Sequence, residues 1–218
     1  MTTEVQRVAA QAPPQPGEFP VTVGWTPAAM AVQAVLSLRT PVHLKMRIES
    51  HEPLLIDFRH HAFSWSTPLE QFPVDAVHTG LQTVPTSPTD PPFFDLPGQD
   101  LDGLLWMMGL NAFDGGAAFW LSPDDRYRLT RWPNLTRHSH NLSHVRMIAV
   151  LGNAYASASE LAAFADVDVS EAQRMINALS LMRILVPSAA APAATMAPQT
   201  AEAKRESLFS RLRKRLGR

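Results

Sequence analysis

Cysteine is absent from the 218 residues, which excludes disulfides, thiolate metal sites and a cysteine nucleophile together. Lysine is scarce: Lys45, Lys204 and Lys214 stand beside sixteen arginines. With abundant alanine and proline, that bias is what GC-rich codons produce, and the expectation is a bacterial chain. Met1–Arg7 has no apolar core for a secretory signal, so a cytoplasmic location follows as an expectation. Charged residues are 18% of the chain, below the usual quarter, while the 45% hydrophobic content is ordinary. No run of eighteen apolar residues occurs, so no membrane-spanning helix is expected. Neither a G-x-S-x-G elbow nor a phosphate loop is present, since Gly115-Gly116 lacks the downstream Lys and Ser/Thr.

What is there is an uneven charge. Residues 204–218 hold seven basic side chains against Glu206, a net +6. The other 203 residues, twelve basic and nineteen acidic, carry −7. Asymmetry of this kind marks an interaction tail attached to a body that has no general attraction for polyanions.

The chain divides into five parts. Residues 1–20, with Pro13, Pro14, Pro16 and Pro20, read as a disordered leader. Residues 21–137 read as an α+β domain: an N-terminal antiparallel sheet with two helices. Residues 138–187 form a tri-helical module, 188–203 a Pro/Ala linker and 204–218 a basic amphipathic tail.

In the α+β part, Thr26 as N-cap and Pro27 at the first helical position open a helix that Pro41 ends. Val42–Ile48 alternates apolar and polar residues as a strand. Leu54–Phe58 and Ala62–Trp65 are further strands joined at Arg59-His60-His61, and Val77–Val84 is one more. The connections are short enough that an antiparallel meander is expected. Pro85–Pro97 is a loop, and Asp100 opens a helix over Leu101–Phe113. Ala117–Leu121 and Arg126–Trp132 read as a hairpin turning at Ser122–Asp125.

The tri-helical part has helices over His144–Gly152, Ala158–Phe164 and Glu171–Leu185, with Ser157 and Glu160 forming a capping box. Val145–Leu151, Ala158–Val167 and Ser170–Val186, at this spacing, resemble the tri-helical core of a winged-helix domain over residues 141–187. The resemblance implies DNA reading by Gln173, Arg174, Asn177 and Arg183 on the third helix. This chain departs from the pattern where DNA affinity resides. Asp166, Asp168 and Glu171 stand at the end that would meet phosphates, and Pro187 with the linker replaces the wing. A protein-docking or dimerisation surface is therefore the expected use, with DNA binding as the alternative.

Three clusters carry possible chemistry. His138, His140 and His144 can converge on a metal if the first pair is extended and the last opens a helix. The competing reading is a polar connector capped by Asn141 or Ser143. Asp57 with His60 is an acid–histidine pair suited to proton transfer, set against a plain turn with exposed histidines. Arg126 and Arg128 share one strand face near Tyr127 and Trp132, a basic surface able to bind single strands or nucleotides, set against edge-strand charge that Asp124 and Asp125 are available to pair with.

The tail is the most distinctive segment. Leu208, Phe209, Leu212 and Leu216 recur at helical spacing among Arg211, Arg213, Lys214 and Arg215. Such a segment is too short to be helical alone and folds on contact with a partner protein or an anionic membrane surface. The sequence thus points to a non-enzymatic adaptor or regulatory protein without a cofactor or small-molecule substrate. It would be cytoplasmic and peripheral to the inner membrane, with a metal-dependent enzyme at the histidine cluster as the third reading.

Overall fold

Alternation in Val42–Ile48 sends Leu44, Met46 and Ile48 to one side of a strand and His43, Lys45 and Arg47 to the other. The first three are fully buried in the main core. This strand, β2, anchors a sheet seen in a computed structural model that describes residues 21–39, 41–74, 78–122, 124–137 and 140–188. The other strands are β1 (Val21–Val23), β3 (Leu54–Asp57), β4 (Ala62–Ser64), β5 (His78–Pro85) and β6 (Gln99–Asp100). All pairings are antiparallel, in the order β1-β5-β2-β3-β4-β6. The α+β class is as expected, and no described helix is long and apolar enough to cross a membrane.

Helix α1 (Thr26–Leu38) ends at Arg39 in the left-handed conformation. Its start differs from the sequence reading. Trp25 occupies the cap without a side-chain capping bond, and the Thr26 hydroxyl instead accepts the Phe113 backbone N–H at 2.9 Å. Helix α2 (Leu101–Asn111) is capped as expected, the Asp100 carboxylate accepting from the Asp102 N–H. Its buried residues run nearly all round, Trp106 included, because both the sheet and a later helix pack on it.

That later helix is α5 (Val169–Leu181), preceded by α3 (Leu142–Asn153) and α4 (Ala158–Ala165). Asn141 caps α3 and Ser157 caps α4, each in a reciprocal capping box. α5 stops short of the expected Leu185, since Arg183 turns left-handed and Leu185–Ser188 becomes a strand, β8. β8 pairs antiparallel with β7 (Arg126–Leu129).

The 117–121 segment is not a strand, so the expected hairpin with β7 does not form. Its polar backbone is served from α5 instead. Asn177 accepts the Ala118 N–H at 3.1 Å and donates to the Gly116 carbonyl at 2.8 Å, while Trp120 Nε1 donates to Ser180 at 3.1 Å. Burying an unpaired backbone group costs about as much as a lost hydrogen bond, so these side-chain partners replace a ladder.

One continuous set of buried residues runs from Trp25 to Ile184 through both parts of the chain. The tightest joint is Gly109 of α2 against Ala178 of α5. A Cβ at Gly109 would lie 2.3 Å from Ala178 Cα and 2.8 Å from its backbone nitrogen.

Candidate functional site

Cross-strand register sets His43 opposite Asp57, both on the sheet face away from the main core. Polar residues there would normally be wet. Here the 85–97 loop folds over them, with Phe93 stacked on the His43 ring at 4.5 Å, and Asp57 is fully buried. A buried carboxylate must be paired and hydrogen-bonded. Asp57 Oδ2 accepts from His60 Nδ1 at 2.9 Å, Arg59 Nη2 at 3.2 Å and the Phe93 N–H at 3.4 Å. Its Oδ1 accepts the Arg59 backbone N–H at 3.0 Å and Nε at 3.4 Å.

Arg59 is also the loop's anchor. Its Nη1 donates to the carbonyls of Ser87 (2.6 Å) and Asp90 (3.2 Å), and its Nη2 to that of Pro91 (3.1 Å). Its Nη2 further lies 3.0 Å from His43 Nε2. A guanidinium only donates, so this contact uses the Nε2 lone pair, and the Asp57 oxygen 3.3 Å away is a neighbour rather than an acceptor.

The electrostatics agree with that assignment. Burial, aided by Arg59 and His60, keeps His43 below the usual imidazole value against the pull of Asp57. Burial alone would raise the Asp57 carboxyl, yet the Arg59 and His60 hydrogen bonds and the Phe93 N–H hold it well below the usual carboxylate range. As the sequence reading has it, His60 and His61 are exposed in the turn between β3 and β4, but the Asp57 carboxylate beneath them is sealed from solvent.

Beside this centre lies an open cleft of about 650 Å³, bounded by the C-terminal end of α1, the Phe58–His60 turn, the proline-rich loop and Arg183. Val35, Leu36, Phe58 and Pro88 give it apolar walls, and Arg39, His60 and Arg183 give it donors.

A second polar centre sits at the start of α2. Asp102 accepts from His61 Nε2 at 2.9 Å and Arg131 Nη2 at 2.8 Å. Burial would raise its carboxyl, but those two bonds bring it down to about 2. The same hydrogen bond raises His61 against its partial burial. His61, Asp100 and Asp102 offer ligand atoms within 4.8 Å of one another, the one such metal-competent group among the described residues. The Arg131 guanidinium already supplies positive charge at that spot.

The residues singled out from sequence are distributed as follows. His140 and His144 line one cleft together with Arg174 and with Asp168 and Glu171, two carboxylates that sequence spacing did not bring near them. His144 is used structurally: its Nδ1 accepts the Asn141 N–H at 3.4 Å in the α3 cap, its ring meets the edge of Trp106, and burial lowers its value. His138 lies outside the described residues.

Of the DNA-reading candidates, Asn177 is fully buried and its amide is spent on Gly116, Ala118 and Gln173. Arg183 follows α5 and donates to the Leu36 carbonyl of α1. Arg174 alone of the four lies on α5 and is exposed. Arg126 pairs with Glu160 rather than with Asp124 or Asp125. Leu208, Phe209, Arg211, Leu212, Arg213, Lys214, Arg215 and Leu216 lie outside the described residues.

Sequence reasoning missed the Asp102–His61–Arg131 centre and the arginine-rimmed cleft. For the first, the available signal was the Asp100-x-Asp102 helix start next to a histidine turn in an antiparallel meander. For the second there was none, since Arg39 and Arg183 are 144 positions apart. Compared with protein-family models, with curated proteins and with solved structures, the chain matches none.

Proposed function

We propose that this protein is a non-enzymatic adaptor or regulatory protein that attaches to an anionic membrane surface through its basic C-terminal segment. The observation that carries this reading is the charge separation: +6 on residues 204–218 against −7 on the rest. Basic residues near an anionic leaflet contribute about 1 kcal/mol each, and apolar residues at helical spacing add burial at the interface. Leu208, Phe209, Leu212 and Leu216 supply that burial, and the Pro/Ala run over 188–203 is the tether.

The body suits a presenting role. Its helices α2 and α5 lock together at the Gly109–Ala178 contact, and its most buried acid is committed to holding a loop. The order α3, α4, α5 beside the β7–β8 pair supports a winged-helix-like reading of residues 138–187. The burial of α5, Asn177 included, favours docking over DNA reading for that module.

Vesicle flotation of the full-length protein and a form ending at Ala203 tests the proposal. The full chain should float with phosphatidylglycerol-containing vesicles and lose that partition as salt rises, while the shortened form stays below. Equal behaviour of the two proteins would overturn it. A tail-dependent complex with a partner protein, without flotation, would reassign the segment from membrane to protein.

A further inference from the structure

Two helix ends, far apart in sequence, bring arginine to the same cleft in a backbone conformation that suits glycine. Arg39 caps α1 with φ 51°, and Arg183 follows α5 with φ 58°. Helix C-termini commonly use glycine for this left-handed residue, because a Cβ there costs about 1 kcal/mol or more. Strain of this kind collects at functional sites, where the side chain's placement offsets it.

The donors around the cleft differ in availability. Arg59 is committed to Asp57 and to three loop carbonyls, so it forms a fixed wall. Arg183 uses Nη1 on the Leu36 carbonyl, which satisfies the end of α1 and leaves its other nitrogens. Among the described residues the Arg39 side chain has no hydrogen-bond partner, although it lines the same cleft. If both arginines served α1 alone, Arg39 would be expected on a terminal carbonyl too. His60 has Nδ1 fixed on Asp57, and Nε2 is its remaining nitrogen.

The acid on the cleft's wall, Asp90, is turned into its own loop, accepting the Ser87 N–H at 2.7 Å and the Thr86 hydroxyl at 3.4 Å. The lining therefore combines cationic donors with apolar walls, in a volume within the size range of small-molecule pockets.

We infer that this cleft binds a small organic carboxylate with an apolar body. The carboxylate is held by Arg39 and Arg183 with His60 beside it, and the hydrocarbon lies on Val35, Leu36 and Phe58. Arginine suits this role because its planar fork matches a carboxylate with paired hydrogen bonds. The inference stands apart from the tail, and it concerns occupancy rather than turnover.

Amide-resolved NMR titration of the full chain with octanoate, octylammonium and acetate tests it. Octanoate should give saturable shifts at millimolar concentration, confined to α1's last turn, the Phe58–His60 turn and the 85–97 loop. Octylammonium and acetate should each bind at least tenfold more weakly. Arg39→Gln and Arg183→Gln should each weaken octanoate by about tenfold, the usual cost of one charge-assisted bond. Arg174→Gln, at the distant α5 cleft, should leave it unchanged. Shifts scattered over the surface, equal binding of octylammonium, or unaltered affinity in both cleft variants would overturn the assignment.

Discussion

Asp57→Asn isolates the buried acid that fastens the proline-rich loop to the sheet. Asparagine keeps the shape and one acceptor oxygen. It removes the charge facing Arg59 and turns an amide N–H₂ toward donors, which strands polar groups in a sealed site. Removing one partner of a buried ion pair costs about 3–5 kcal/mol; the retained oxygen places this change near the lower end, about 3 kcal/mol. Total stability of about 5–15 kcal/mol leaves the variant folded.

The pH dependence follows from the depressed folded value of Asp57. A carboxyl lowered on folding contributes fully above its unfolded value near 4 and loses that contribution as pH falls below it. The difference between wild type and Asp57→Asn should therefore shrink by about 1 kcal/mol from pH 7 to about pH 3. Urea denaturation of both proteins at the two pH values measures it. A cost under about 1 kcal/mol at pH 7, or one that does not change with pH, would refute the account of this centre.

Gly109→Ala gains about 1 kcal/mol of helix propensity but sets a methyl 2.3 Å from Ala178 Cα. Parting α2 from α5 should outweigh that gain and destabilise by about 1–3 kcal/mol, read from chemical denaturation. At the second polar centre, Asp102 should titrate at about 2 and His61 above its ordinary value, followed by NMR of the side chains. The Asp102 contribution is present above about pH 4 and lost as pH falls toward its folded value; the His61 contribution is present below about 6.5 and lost as pH rises through its folded value. Asp102→Asn should bring His61 down, and an unmoved His61 would contradict the hydrogen-bond cause.

Local signals in the sequence were translated directly into structure. β2 has the expected limits because strict alternation fixes which side of a strand faces the core. The Ser157–Glu160 box starts α4 because both cap bonds lie within four residues. What stayed hidden depends on distant partners. The apolar 117–121 segment reads as a strand, but its backbone is taken by Asn177, 59 positions away in the Ala118 bond. Leu185–Ser188 reads as a helix end running into a linker, yet it finds β7 across the chain. The Asp57–His60 pair was visible as spacing, whereas its burial came from Phe93 and a loop whose path no local pattern specifies.

The attachment reading is tested most directly by vesicle partition of three full-length proteins: wild type, Leu212→Ser with Leu216→Ser, and Arg211→Glu with Arg215→Glu. An amphipathic cationic segment needs both faces, so each double variant should lower partition into phosphatidylglycerol-containing vesicles by more than about tenfold, with the salt dependence weakened in the charge variant. Partition that ignores either pair of substitutions would contradict the assignment of residues 204–218 as the attachment device.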